Sequence, residues 1–350
     1  MKVTMVARDL APSRALEMVR QKLSERGIEV SAHLGGGKPL VSSSDQIESD
    51  VQNSNLLFLG MSCSPELAKE EIGATKVAVE HGVRFGFYAD LFGTSSRTFF
   101  TPFRGQTSFV FVISEEEAKS TRRLFPNAEV VPSGNPVLEG AFTVLKSNAE
   151  VRALFGLEEK DLLMYCTAGK DLEVNRLHFR AVVEAVSLLC TKERWKIFFM
   201  LHPGDQNPPG AYEDVIQAEG VWARLMLGKD VKAKGLTSLD IISACDLMIA
   251  AVSTSGIEAA CLRKPVIDFF SEPGLRRMRE QTGYEVWPPV AFGVSRAAHN
   301  CQELACAIDD LMSSGFNAMR VRQEACFPKP ATADAAVKSM TDTIMKILNS

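Results

Sequence analysis

Short apolar runs recur along the whole chain, separated by stretches long enough for a helix, and this alternation does most to limit the fold. In the first half the runs are KVTMVA (2–7), IEVSAHL (28–34), LLFLGM (56–61), VRFGFYAD (83–90), FVFVIS (109–114) and AEVVPSG (128–134). Amphipathic pieces such as SRALEMVRQKLSERG lie between them. Strands separated by helices of this length form right-handed βαβ units and a parallel sheet covered on both faces. After GNPVLEG (134–140) the pattern starts again, with LLMYCTAG (162–169), KIFFMLHPG (196–204), RLMLG (224–228), DLMIAAVS (246–253) and PVIDFF (265–270). A last helical stretch, TADAAVKSMTDTIMKILNS, closes the chain. With 350 residues, two α/β domains are expected. Their boundaries are placed at 1–145, 146–330 and 331–350, the last being the closing helix.

Composition excludes little beyond this. A net charge of −4 gives no electrostatic reason for a nucleic-acid partner. No apolar stretch is long enough to span a membrane, and the first residues read as a strand running into a helix, not as a secretory signal. The eight cysteines are scattered without a CxxC pair, as expected of reduced thiols in a cytoplasmic protein. The five histidines are dispersed, and no metal-ligand spacing is present. A homo-oligomer is left open.

In open parallel sheets ligands sit at the carboxyl ends of the strands, so two such sheets side by side would frame a cleft. The residues that follow the apolar runs are therefore the candidates. Ser253, Thr254, Ser255 and Gly256 follow one run and precede a helical piece, an arrangement that offers amides, hydroxyls and a helix N-terminus to a phosphate. Gly256 would let the backbone approach the ligand. Glu258, placed in the first turn, could accept hydrogen bonds from a ribose diol. An ordinary helix cap explains the same residues nearly as well. His202, in LHPGDQNPPG, could donate to a phosphate or exchange a proton. Gly169 and Lys170, in TAGKD, could approach a diphosphate. In the first half, Asp90 could serve as a general base, with Arg97 on the same loop binding an anion. Arg8 and Asp9 could line the cleft, and Asp9 and Glu66 are the next candidates for the base. Ser64-Pro65-Glu66 reads as a helix start.

The GNPVL segment (134–138), the HP pair (202–203) and ACDLMIAAVSTSGIEAACLRKPVIDF (244–269) together resemble GT-B glycosyltransferases and the related UDP-N-acetylglucosamine 2-epimerases. The HP and Ser/Thr elements are also similar to those of bacterial capsule polymerases and lipid A disaccharide synthase. The resemblance implies two Rossmann-like doubly wound domains facing a cleft, with the last helix crossing back to the first domain. It implies a nucleotide-sugar donor on the second domain. Ser253, Thr254, Ser255 and Gly256 would take the diphosphate, His202 would contact phosphate and Glu258 would hold the ribose. The expected activity is metal-free, cofactor-free, inverting transfer of a sugar to an unidentified acceptor, with Asp90 and His202 as catalytic groups. Epimerisation or hydrolysis on the same fold is the alternative, and a nucleotide-binding homologue without turnover is another. Where the epimerases usually carry a basic run after the histidine this chain has GDQNP, which points away from epimerisation.

Overall fold

The computed structural model describes residues 1–139, 146–282, 284–330 and 332–350. The chain forms two compact units. One comprises Met1–Gly140, Gln281–Gly283 and Lys329–Ser350; the other comprises Ala141–Glu280 and Tyr284–Pro328. The boundaries expected at 145/146 and 330/331 fall on residues 145 and 331, outside the described residues.

The N-terminal unit is built on a six-stranded, wholly parallel sheet. Its strands are β1 (Lys2–Ala7), β2 (Glu29–Leu34), β3 (Leu56–Gly60), β4 (Arg84–Ala89), β5 (Phe109–Val112) and β6 (Glu129–Pro132). They lie in the order β2-β1-β3-β4-β5-β6, so chain direction across the sheet reverses between β1 and β3. Residues of β3 and β5 are buried throughout, as continuous apolar strands covered on both faces must be. Leu56, Phe58, Phe109 and Phe111 pack into one core face, and Leu57, Leu59, Val110 and Val112 into the other. The closing helix, Ala335–Leu348, belongs to this unit and buries Val337, Met340 and Ile344 in the first of these faces. Its start is pinned by Glu139, whose carboxylate accepts the Ala336 N–H at 2.7 Å.

The C-terminal unit has a second six-stranded parallel sheet. Its strands are β7 (Leu162–Thr167), β8 (Trp195–Met200), β9 (Trp222–Met226), β10 (Leu247–Ala250), β11 (Val266–Phe269) and β12 (Arg296–Ala298). The order β12-β11-β10-β7-β8-β9 is the doubly wound order of a dinucleotide-binding domain, with its reversal between β7 and β10. The strand β12 was not anticipated from sequence. Three residues at a sheet edge, Arg-Ala-Ala, carry no apolar run.

Candidate functional site

The reversal between β7 and β10 decides which loops can reach a common ligand in the C-terminal unit. The loop after β7 contains Gly169 and Lys170, the loop after β10 leads through Ser253 into the helix that begins at Thr254, and His202 follows β8, which lies beside β7. Gly169, Lys170, His202 and Ser253 thus stand beyond the carboxyl ends of three adjacent strands.

Each loop is held by its own hydrogen bonds. The Gly169 N–H donates to the Asn175 Oδ1 at 3.0 Å, and the Asn175 amide returns a bond to the Gly169 carbonyl at 3.1 Å. Asp205 accepts from Tyr212 Oη at 2.6 Å and from the Asn207 N–H at 2.9 Å. Burial works against its ionisation, but these bonds outweigh it and hold the carboxyl below its usual range. The Gly204 N–H donates to His202 Nδ1 at 2.9 Å. A neutral ring so held carries its proton on Nε2 and offers a donor, with no acceptor nitrogen free. Partial burial and the field of Lys170 hold the imidazole below its usual range against the pull of Asp205. Lys170 crosses Gly204 closely, since a Cβ there would lie 3.0 Å from the Lys170 Cε. Lys170 and His202 are therefore brought together.

The strand β10 leaves the sheet through Val252, a β-branched residue at φ 50°. This conformation is strained for such a side chain and is kept only where the surroundings demand it. Ser253 then caps the Thr254–Cys261 helix, its Oγ accepting the Ser255 N–H at 3.2 Å. The Gly256 N–H is turned back to the Ser253 carbonyl at 3.1 Å. Two expectations need correction here. Gly256 is buried and its missing side chain serves packing, because a Cβ would lie 3.1 Å from the Ala250 Cβ. Glu258 is the fifth residue of the helix, beyond its first turn. It lies close enough to Tyr165 to add to the rise that burial imposes on that phenol.

Sequence reasoning missed one acid beneath this loop. Asp268 on β11 is 1% exposed, and its Oδ2 accepts from the Ser295 Oγ at 2.5 Å. Its Oδ1 has no hydrogen-bond partner among the described residues. Burial pushes this carboxyl up to about 7.

In the N-terminal unit the reversal between β1 and β3 gathers a second set. Asp9 caps the following helix through Oδ1, which accepts the Leu10 N–H at 2.9 Å, while Oδ2 accepts the Cys63 N–H at 3.3 Å. Asp90, after β4, is 4% exposed. Its carboxylate accepts one side-chain hydrogen bond, from Thr94 at 3.4 Å. Burial pushes it up to about 6; Arg97 opposes the rise and Asp9 adds to it. Arg97 donates to the Met61 carbonyl. The exposed Cys63 thiol lies within the fields of Asp9, Arg97 and Asp90, which places these groups near it. The Asn135 amide of GNPVL donates to the Asp90 carbonyl at 2.6 Å, tying the exit of β6 to that of β4.

Two buried acids here were not foreseen. Glu71, fully buried, accepts from Ser62 Oγ at 2.5 Å and from the Arg8 N–H at 3.1 Å, and burial pushes it up to about 7. Glu117, 1% exposed, accepts from the Gly93 N–H at 3.0 Å and from Ser95 Oγ at 2.9 Å. Burial raises its carboxyl above the usual range. Glu66 is exposed, and the helix expected at Ser64 begins at Lys69 after a turn. Among the described residues no group of three or more His, Cys, Asp or Glu is placed to hold a metal ion, and no helix is long and apolar enough to cross a membrane.

No protein-family model matches the chain, and no curated protein matches it. Solved structures do. The UDP-GlcNAc 2-epimerase from Neisseria meningitidis bound to UDP-GlcNAc is 14% identical with a TM-score of 0.63, over 99% of this chain and 100% of that one. The S. aureus MnaA–UDP structure is 13% identical with a TM-score of 0.65, over 100% and 97%. A glycosyltransferase from Rickettsia africae is 12% identical with a TM-score of 0.60, over 100% and 98%. With two doubly wound parallel sheets and a closing helix returned to the first, this chain has the GT-B fold.

Proposed function

We propose that the chain is a nucleotide-sugar enzyme whose C-terminal unit binds the donor at the β7/β10 reversal. The observation that carries this reading is the grouping of Lys170, His202 and the Ser253-capped helix at the carboxyl edge of adjacent strands. The Lys170 ammonium, the His202 Nε2–H and the serine and threonine hydroxyls suit a diphosphate. Glu258 suits the ribose diol. The solved epimerase and MnaA structures hold UDP-GlcNAc and UDP, so a uridine nucleotide is the donor to test first.

The reaction we favour is transfer with inversion. An acceptor hydroxyl attacks the anomeric carbon, and its proton passes to the Asp90 carboxylate. The bond from the anomeric carbon to the diphosphate breaks, its electron pair leaving on the β-phosphate oxygen, where Lys170 and His202 offset the new charge. Asp90 suits the base because a group near 6 is ionised at neutral pH yet still basic. The nucleotide-sugar is a substrate, and this scheme calls for no cofactor. Glu117 supports a second reading. Epimerisation at C2 needs a proton removed and returned, hence more than one acid–base group, and a second buried, raised carboxyl is present. UDP-GlcNAc incubated in deuterium oxide and followed by NMR separates the two. Transfer predicts UDP release only when an acceptor is added and no deuterium at C2. Deuterium at C2 without an acceptor supports epimerisation, and neither change with any nucleotide-sugar overturns both.

A further inference from the structure

At the opposite edge of the C-terminal sheet, where β10 and β11 begin, the surface opens into a cavity of about 350 Å³. Asp246 and Pro265, each one residue ahead of its strand, line it together with Lys264, Leu311, Ser314 and Phe316. None of the loops assigned above to the donor takes part.

Two neighbouring cations at this cavity differ in one respect. Arg263, at φ 57° in the position where a helix often ends on glycine, turns its guanidinium back onto the Ala260 carbonyl at 3.1 Å and the Cys261 carbonyl at 2.8 Å. It also donates to the Phe327 carbonyl. Capping the Thr254–Cys261 helix explains it. Lys264 is half-buried, and its ammonium has no hydrogen-bond or ion-pair partner among the described residues. The acid beside it forms no ion pair with it: Asp246 Oδ2 accepts from Arg152 at 3.1 Å and from the Leu163 N–H at 2.7 Å. An ammonium at a cavity without an acceptor of its own is free to pair with a ligand anion.

The far wall is also unusual. Leu311–Gly315 is a turn of π-helix between two α-helices. The Asp310 carboxylate packs over Gly315, where a Cβ would fall 2.2 Å from its Oδ2. Such turns are rare and concentrate at functional sites.

We propose that this cavity is a second ligand site, taking a small organic monoanion: a carboxylate paired with Lys264 and hydrogen-bonded by Ser314 and Asn317, on an apolar body against Pro265, Leu311 and Phe316. One unpaired cation beside the Asp246 carboxylate favours a single negative charge over a dianion. The size lies at the lower end for small-molecule sites.

Benzoate is the probe, benzamide its uncharged counterpart and inorganic phosphate the dianion, each titrated into the full chain by calorimetry and saturation-transfer NMR. Benzoate should saturate, with benzamide and phosphate at least about tenfold weaker. Lys264→Gln should weaken benzoate about tenfold or more, and Lys264→Arg should recover most of it. UDP binding and thermal unfolding should be unchanged in both variants, because the residue's main-chain bonds to Ala259 and Gln323 remain. Benzoate binding that is unaltered in Lys264→Gln, displaced by UDP, matched by phosphate, or absent up to about 20 mM overturns the proposal.

Discussion

Asp90 combines deep burial, one weak side-chain hydrogen bond from Thr94 and a position at the exit of β4. Asp90→Asn keeps the shape and can still accept from Thr94, but cannot take a proton. We expect turnover to fall by about 10²–10⁴-fold, with UDP affinity within about twofold of wild type, by steady-state kinetics and calorimetry. The wild-type rate should rise as pH passes through about 6 and then level, because the base must be ionised; the variant should lack this limb. Stability runs the other way. The native carboxyl binds its proton more tightly than the unfolded one, with an ordinary value of 3.8 raised to about 6, so its ionisation costs stability as pH rises from about 4 to about 6. The same pH scan of Asp90→Asn should therefore show a flatter decline in that window. Asp90 was legible as a polar residue closing an apolar run. Glu71 and Asp268 were not, because a lone acid in a helix or strand gives no local sign that tertiary packing will bury it. Glu117 hid behind a cap: Ser114 followed by three glutamates reads as a helix start, and Ser114 does accept the Glu117 N–H at 3.3 Å. Only the fold shows its carboxylate turned to Gly93 and Ser95.

The strand, its exit loop and the helix behind it form the element to which we assign donor binding, and Gly256 tests how tightly they are fitted. Glycine to alanine inside a helix ordinarily stabilises by about 0.5–1 kcal/mol. Here the new methyl would meet the Ala250 Cβ at 3.1 Å and press the helix away from β10. We expect Gly256→Ala to destabilise by about 1–3 kcal/mol and to weaken UDP, since Ser253 and the helix start would shift with it. Increased stability by thermal unfolding would show that the helix yields freely. The apolar runs announced their strands because parallel strands buried on both faces must be apolar throughout, as β10 is from Leu247 to Ala250. The edge strand β12 escaped for the converse reason: its first residue is exposed and its second only partly buried. The αL conformation of Val252 had no sequence signal either, because a β-branched residue is the last expected there.

Across the full chain, the closing helix ties residues 335–348 to a unit begun at residue 1. Met340 and Ile344 are fully buried against β-strand core residues such as Phe58 and Phe109, and Arg26 pairs with Asp342 at 2.6 Å. Ile344→Ala should destabilise the N-terminal unit by about 2–5 kcal/mol. That is a large part of a typical domain's 5–15 kcal/mol. In urea unfolding its first transition should move to lower concentration, whereas Lys338→Ala on the exposed face should stay within about 0.5 kcal/mol. The return of this helix was legible only through the GT-B resemblance. The pinning bond from Ala336 to Glu139 was not, because 197 residues separate its partners.

The most direct measurement is calorimetric titration of UDP into the wild-type chain, Glu258→Ala, His202→Ala and Asp90→Asn. Saturable binding to one site is predicted, weakened by about ten- to a hundredfold in Glu258→Ala and at least severalfold in His202→Ala, with Asp90→Asn equal to wild type. Absence of binding by UDP and every other nucleoside diphosphate, or full affinity in both Glu258→Ala and His202→Ala, would contradict a donor site at the β7/β10 reversal.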